Sequence, residues 1–128
     1  MNTTPELIDA PGAPKAIGPY SHAARTGNLL VCSGQIPLDP ATMKLVEGGI
    51  EAQTRQVLAN VAAVLMSQGA GFANIAKTTI FLTDMADFPV VNGVYAEAMG
   101  AHKPARSTVQ VAGLPLGSLI EIEVTAIL

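Results

Sequence analysis

The chain has 128 residues, of which 49% are hydrophobic and only 13% charged, and its net charge is −3. This length suffices for a single domain over residues 1–128 with a core that needs no disulfide or metal, and the lack of a lysine- and arginine-rich run argues against a nucleic-acid partner. No apolar run approaches the roughly 18 residues of a membrane span and no signal-peptide pattern occurs, so we expect a cytoplasmic protein without membrane contact.

The first part of the chain predicts an extended arm followed by a β-hairpin. Proline and glycine are frequent at the start, which disfavours a helix, so residues 1–15 are expected to lie as an extended arm along the body. Residues 23–26 and 29–33, separated by a Gly-Asn turn, predict a hairpin whose apolar second strand is central and buried on both faces. This strand ends at Ser33 and Gly34, where glycine permits close approach of a ligand, although a β-bulge is an equally simple interpretation.

Two helices and a further strand follow a loop over residues 37–49. A helix is predicted over residues 51–67, because valine and leucine recur there on one stripe at helical spacing. Residues 77–83 are rich in β-branched and aromatic side chains and predict a strand. A second helix begins after Asp87, which we expect to cap it, and Asn92 is expected on its solvated side, beside the apolar stripe.

The next strand begins with Arg106, a lone arginine just after a proline. Strand alternation places Arg106, Thr108 and Gln110 on one face and Val109 and Val111 on the other, apolar face. A guanidinium presents its donors in a fixed fork that matches a carboxylate, so an arginine on a rigid strand suits the binding of a small organic acid. A surface salt bridge is the alternative interpretation of the same residue.

The last predicted strand, over residues 120–127, places Glu121 and Glu123 on the face opposite its apolar side chains. If two helices cover only one face of the sheet, Arg106 and Gln110 are expected to share the open face with these glutamates. A symmetric hairpin of the last two strands would set Gln110 opposite Glu121, which does not bring Glu121 to Arg106. A polar open face in a chain with so little charge predicts contact with other subunits, and an intersubunit cleft accounts for both observations.

Four separated motifs occur in order along the chain. They are AIGPYS at residues 16–21, SGQIP at 33–37, KTTIF at 77–81, and PARS at 104–107 followed by IEIE at 120–123. Together they resemble the YjgF/Rid family of reactive-intermediate deaminases over residues 16–126. The resemblance implies a chorismate-mutase-like α+β fold, with a mixed sheet carrying two helices on one face, and a homotrimer with ligand clefts between subunits. It also implies hydrolysis of 2-imino acids and enamines, such as 2-iminobutanoate and 2-aminoacrylate, to 2-keto acids and ammonia.

The same resemblance implies roles for individual residues. Arg106 matches the arginine that holds the substrate carboxylate, and Glu121 matches the acid implicated in activating water. The remaining positions that match the substrate cleft are Tyr20, Ser33, Gly34, Asn92 and Thr108. Many family members carry cysteine where this chain has Thr108, which leaves the substrate preference open. The implied chemistry uses no metal and no organic cofactor.

The other reactive side chains predict no further chemistry. His22 and His102 lack a second ligand at metal-site spacing, so polar or packing roles are expected for both. Cys32 lies within an apolar run and predicts an inert core thiol. Two other functions stay open: a sensor or chaperone-like trimer that binds a small acid in the same cleft without turnover, and a ribonuclease, which the acidic net charge disfavours.

Overall fold

The computed structural model describes residues 4–128, which form a six-stranded sheet packed against two helices. The strands are β1 (Glu6–Ile8), β2 (Ala23–Thr26), β3 (Leu29–Cys32), β4 (Ile75–Leu82), β5 (Ala105–Gln110) and β6 (Ile120–Ile127). The helices are α1 (Ile50–Met66) and α2 (Phe88–Met99). This is the predicted mixed α+β architecture. Neither helix of the described chain is long and apolar enough to cross a membrane.

The strands are arranged in the order β1-β2-β3-β6-β4-β5. Within residues 4–128, β4 and β5 are the one parallel pair, and α2 supplies the crossover that parallel neighbours require. β6 follows β5 in the chain but is inserted between β3 and β4. The expected hairpin of the last two strands is therefore wrong, because β4 separates them.

The core lies between the two helices and one face of the sheet. Ile80, Leu82, Ile120 and Ile122 on the inner face of β4 and β6 are completely buried. The α1 residues that pack with them are Val57, Leu58, Val61, Val64 and Leu65. Each buried aliphatic side chain contributes about 1.5–3 kcal/mol. The predicted apolar stripe of α1 is confirmed.

The N-terminal arm and hairpin follow the prediction in outline. β1 pairs with β2, so part of the extended arm joins the sheet, and residues 1–3 of the predicted arm lie outside the described residues. β2 and β3 form the predicted hairpin. The expectation that β3 is buried on both faces is wrong: Leu30 is fully buried, whereas Leu29 and Val31 are exposed on the open face.

The start of α2 differs from the prediction in its capping. The side chain of Asp87 makes no capping hydrogen bond. Asp84, at the start of the short 3₁₀ turn Met85–Asp87 that precedes the helix, accepts a hydrogen bond from the Ala86 N–H instead. The 3₁₀ turn therefore leads directly into α2, and the capped end lies one turn earlier than expected.

β5 presents the opposite face from the one expected. The parallel register sets Thr78 beside Arg106 and Ile80 beside Thr108. Thr78 and Ile80 are fully buried beneath the helices, so Arg106 and Thr108 also point toward the helix-covered face. Val109 is 42% exposed on the open face. The expectation that Arg106 shares the open face with the glutamates of β6 is therefore wrong.

Candidate active site

Three side chains of α2 hold the guanidinium of Arg106. Nη1 donates a hydrogen bond to Oδ1 of Asn92 at 2.8 Å. The Cζ atom lies 5.4 Å from the centroid of the Phe88 ring and 5.0 Å from that of the Tyr95 ring. A cation–π contact at an exposed site contributes about 0.5–1 kcal/mol. These contacts orient the guanidinium and leave its charge uncompensated.

The α2 crossover explains why these groups meet. Asn92 and Tyr95 are three residues apart and therefore share one face of α2, which lies over the beginning of β5. The hydroxyl of Tyr95 donates a buried hydrogen bond to Oγ1 of Thr78 at 3.1 Å, which fixes the ring beside Arg106. Asn92 is exposed, as expected for the solvated side of the helix, and its side chain also contacts the arginine. The sequence shows no signal for this, because the spacing alone does not say which strand the helix covers.

Arg106 makes no ion pair within residues 4–128. Both arginine ion pairs of that region involve Arg55, with Glu51 and Glu97, and the Asp9 carboxylate lies 3.5 Å from Nδ1 of His22. The surface salt bridge considered as the alternative role of Arg106 is therefore wrong. A guanidinium that is oriented but unpaired is suited to accept a carboxylate from a ligand.

A cavity of about 380 Å³, which we call the arginine cavity, opens beside this guanidinium. The residues that line it are Asn92, Tyr95, Ala96, Gly100, His102, Lys103, Pro104 and Arg106. Two cationic side chains and no carboxylate are among them. The arginine cavity therefore has the charge to attract an anion. Sequence reasoning missed Lys103, although it lies only three residues before Arg106.

Tyr20, Ser33, Gly34 and Glu121 gather in a second cavity of about 490 Å³, which we call the glutamate cavity. The residues that line it are Ile17, Tyr20, Ser33, Gly34, Ile36, Pro115 and Glu121. Four of these were predicted as site residues, from three separate stretches of sequence. Their junction follows from the sheet order, because the chain leaving β3 runs beside the start of β6, where Gln35 bridges to Ile122.

Gly34 packs directly against the carboxyl group of Glu121. A Cβ atom added at Gly34 would lie 2.8 Å from Cδ of Glu121 and would overlap its Oε2. Only glycine leaves room for the carboxylate in this position. Burial, and secondarily the negative charge of Glu123, raises the pKa of Glu121 above the ordinary glutamate value. A carboxyl group in a cavity with a pKa raised by its surroundings is a candidate for proton transfer.

Ser33 and Tyr20 are held by local hydrogen bonds. The Ser33 hydroxyl donates to the Ser21 carbonyl at 2.6 Å, and the Tyr20 hydroxyl accepts from the Ile17 N–H at 3.3 Å. The Tyr20 side chain is nevertheless 46% exposed. The ring therefore stands at the open side of the glutamate cavity, where a ligand or a second chain can contact it.

The predicted site residues form two groups that one chain does not bring together. Asn92, Arg106 and Thr108 lie on the helix-covered face, at the sheet edge formed by β5. Glu121 lies on the open face, where it pairs across the strands with Phe81 of β4. Thr108 lines neither cavity, and its buried Oγ1 has no hydrogen-bond partner in the described chain.

The described residues contain no group of three or more His, Cys, Asp or Glu side chains able to hold a metal ion. His102 Nε2 lies 2.8 Å from the Ile75 carbonyl, and His22 Nε2 lies 2.7 Å from the Pro14 carbonyl, so both imidazoles have polar structural roles. Burial raises the pKa of the Cys32 thiol to about 11. The thiol is therefore protonated at neutral pH, as expected of an inert core cysteine.

The fold and these motifs define the class of protein. The chain belongs to the Endoribonuclease L-PSP family, which matches residues 10–128, and this family includes the Rid proteins that the sequence motifs resemble. A RutC family protein of Pyrococcus horikoshii is 50% identical over 121 residues, which cover 94% of this chain and 96% of that protein.

Two further relatives connect the family to a reaction and to a known structure. The human 2-iminobutanoate/2-iminopropanoate deaminase is 44% identical over 121 residues, covering 94% of this chain and 88% of that protein. The crystal structure of a Rid family protein from Yersinia pestis has a TM-score of 0.93 at 50% identity, covering 97% of this chain and 99% of that one. The family therefore includes reactive-intermediate deaminases, and the fold prediction is confirmed.

Proposed function

We propose that this protein hydrolyses 2-imino acids and their enamine tautomers to 2-keto acids and ammonia, with small substrates such as 2-iminobutanoate or 2-aminoacrylate. The observation that carries the proposal is the guanidinium of Arg106, which is oriented by Asn92 and two aromatic rings but has no carboxylate partner within residues 4–128. A substrate carboxylate supplies that partner through two parallel N–H···O bonds.

The chemistry places modest demands on the protein. The enamine first tautomerises to the imine, and water then adds to the imine carbon to form a tetrahedral carbinolamine. Glu121 accepts a proton from the attacking water and passes it to the nitrogen, which completes the carbinolamine. The proton of the new hydroxyl group then moves to the nitrogen through the same carboxyl group, so that the carbonyl forms, the carbon–nitrogen bond breaks and ammonia leaves. A general acid–base typically contributes about 10²- to 10⁴-fold, and fixing the carboxylate orients the imine carbon. The proposal invokes no metal and no organic cofactor.

The proposed site lies between two copies of the chain. Arg106 and Glu121 are on opposite faces of one sheet, so a small substrate that contacts both requires the arginine cavity of one copy and the glutamate cavity of another. Support comes from the open face, where Leu29, Val31, Val109 and Ile127 are each 39–48% exposed. Apolar residues in such numbers on one face favour burial against another subunit. We therefore propose a homotrimer with intersubunit sites.

A ribonuclease function, which the family description names, has less support in this chain. Binding of the phosphate backbone depends on several lysine and arginine contacts. The whole chain contains 7 such residues against 10 acidic ones. Arg106 and Lys103 are the only lysine or arginine residues that line the arginine cavity, which suits one small anion better than a polyanion.

A coupled assay tests the proposed reaction. A threonine or serine dehydratase generates the imino acid, and keto-acid formation is followed with and without the purified protein. We expect the wild-type protein to accelerate the release and Arg106→Ala to abolish the acceleration. Arg55→Ala is the matched control, because Arg55 is half-exposed, pairs with Glu51 and Glu97, and lines neither cavity. Binding of the keto acid without acceleration would instead identify a ligand sensor.

A further inference from the structure

His22 is a buried side chain with two hydrogen bonds that lies in neither cavity. It is only 2% exposed. Its Nδ1 accepts a hydrogen bond from the Ala10 N–H at 2.8 Å, and its Nε2 lies 2.7 Å from the Pro14 carbonyl. Because a carbonyl can only accept, Nε2 carries the proton and the imidazole is neutral. Nδ1 also lies 3.5 Å from the carboxylate of Asp9, which is 96% exposed and directed to solvent.

The imidazole closes the base of an exposed loop. Residues 15–20 are largely exposed, whereas Ala13, Pro14 and His22 on either side are buried. The start of the loop is held at Pro14 by the His22 side chain. Its end is held by the Ser33 hydroxyl, which donates to the Ser21 carbonyl, and by the His22 backbone, which bonds to Ile8 and Ser33.

The loop carries two walls of the glutamate cavity. Ile17 and Tyr20 line that cavity opposite Glu121. Inside the loop the remaining hydrogen bonds are local: the Ile17 N–H donates to the Tyr20 hydroxyl, and the Tyr20 N–H donates to the Gly18 carbonyl. Such local bonds give the loop its shape but do not fix it to the body, so its placement depends on the two ends.

We propose that His22 is a positioning residue, which sets Tyr20 and Ile17 against Glu121 by holding the start of this loop through the Pro14 carbonyl. The proposal rests on the proposed function in so far as it names the glutamate cavity as part of a substrate site. The buried imidazole supplies one acceptor and one donor at a fixed spacing. A side chain that lacks either leaves a buried backbone group without a partner, which the loop relieves by moving.

Two substitutions separate this role from general stability. His22→Gln keeps one acceptor and one donor, and its amide reaches as far as Nε2. His22→Asn keeps an acceptor close to Nδ1 but is too short to reach the Pro14 carbonyl. If Ile17 and Tyr20 shift by about 1 Å, we expect His22→Asn to raise KM by about 10- to 100-fold with a smaller change in kcat. We expect the KM of His22→Gln to stay within about threefold of the wild-type value.

A spectroscopic experiment tests the position of the loop independently of catalysis. The chain has 2 tyrosines and no tryptophan. Fluorotyrosine labelling therefore gives two ¹⁹F resonances, one from Tyr20 in the loop and one from Tyr95 in the core. In His22→Asn we expect the Tyr20 resonance to shift or broaden while the Tyr95 resonance stays in place, and in His22→Gln we expect both to match the wild type.

The outcomes are distinguishable. If the wild-type protein shows no imine hydrolysis, the proposed function fails, and the ¹⁹F spectra still decide whether His22 places Tyr20. If His22→Asn leaves both the Tyr20 resonance and KM unchanged, the positioning role is overturned. It is also overturned if both resonances move together with a lowered thermal midpoint in both variants, because that pattern means general destabilisation.

Discussion

Arg106 and Glu121 lie on opposite faces of one β-sheet, at positions that a single small substrate cannot reach together. The first points toward α2 from the edge strand β5, and the second points away from the helices from β6, near the middle of the sheet. If both act on the same imine, each site must combine residues from two chains. A site shared by two chains should therefore behave differently, in mixtures of variants, from a site formed within one chain.

Mixing two inactive variants should restore activity. Arg106→Ala and Glu121→Gln are each expected to lose turnover, but in a trimer assembled from both, some interfaces pair an intact arginine with an intact glutamate. With equal amounts and random assembly of a cyclic trimer, about one site in four is complete. Unfolding and refolding the mixture, followed by the keto-acid assay, checks this. Activity no higher than the average of the separate variants would contradict a shared site.

Replacing Arg106 with lysine should remove most activity although the charge is kept. An ammonium group cannot reproduce the planar two-point contact that orients the carboxylate. We expect kcat/KM to fall by about 10- to 100-fold, in line with the loss of a charge-assisted hydrogen bond of about 1.5–3 kcal/mol. The free energy of unfolding should fall by only about 1 kcal/mol, because only the contacts of Arg106 with Phe88 and Tyr95 are affected. Near wild-type kcat/KM in a folded lysine variant would remove the forked contact from the mechanism.

The sequence predicted the elements of this fold better than their arrangement. The helices and strands could be predicted because their apolar residues repeat with the period of a helix or of a strand. Period-two alternation shows which residues of β5 share a face, but not which neighbour the strand pairs with or which face the helices cover. The sequence places Val109 on the apolar face of its strand, but it cannot show whether that face lies in the core or on the open side of the sheet. In the structure Val109 is on the open side.

The candidate site shows the same limit. Tyr20, Ser33, Gly34 and Glu121 come from stretches far apart in sequence, and only the family resemblance grouped them. The contact between Asn92 and Arg106 depends on the α2 crossover and was not predicted from the residues.

Glu121→Gln should lower turnover and flatten its dependence on pH. Because burial raises the pKa of Glu121, the carboxylate that accepts a proton from water forms at a higher pH than in an ordinary glutamate, and wild-type activity should rise as the pH passes through this raised pKa. The glutamine variant lacks this rise. A kcat profile of both proteins checks it, and equal profiles would exclude Glu121 from proton transfer.

The same substitution should affect stability with a definite sign. The folded carboxyl keeps its proton to a higher pH than the unfolded one, so between these two pKa values the folded state binds more protons. The free energy of unfolding contributed by this group is therefore greatest in acid and is lost as pH rises through the raised pKa. We expect the thermal midpoint of Glu121→Gln, relative to wild type, to increase from acid to neutral pH. Glu123→Gln, which removes only the neighbouring charge, should show a smaller change.

Gly34→Ala should reduce activity by displacing a carboxylate rather than by straining the backbone. The added methyl group would overlap the Glu121 carboxyl group, whereas the φ angle at Gly34 is one that alanine adopts. We expect turnover to fall toward that of Glu121→Gln. Gly113→Ala is the control, since a Cβ there meets nothing within 4 Å. Combining Gly34→Ala with the shorter Glu121→Asp should recover part of the activity. Equal turnover in the Gly34 and Gly113 variants would show that the contact does not matter.

Thr108→Val should stabilise the protein. Oγ1 of Thr108 is buried and has no hydrogen-bond partner in the described chain. Replacing it with a methyl group of similar size removes an unpaired polar atom whose burial costs about 1–3 kcal/mol. Denaturant unfolding should show a higher midpoint with an unchanged m-value. A lower midpoint would mean that the hydroxyl gains a partner in the assembled protein.

The insertion of β6 between β3 and β4 has a consequence for how the chain folds during synthesis. The β1–β3 region and the β4–α2–β5 unit both precede β6 in the chain, yet within the sheet they are joined only through β6. The contact between Asn92 and Arg106 spans 14 residues, so it can form early within the second unit. The glutamate cavity cannot form until β6, which carries Glu121, has been synthesised. A ribosome-bound chain that stops before Ile120 should therefore lack the strand that joins the two parts of the sheet and covers the core face of the helices, and chaperones should bind it more strongly than the full chain.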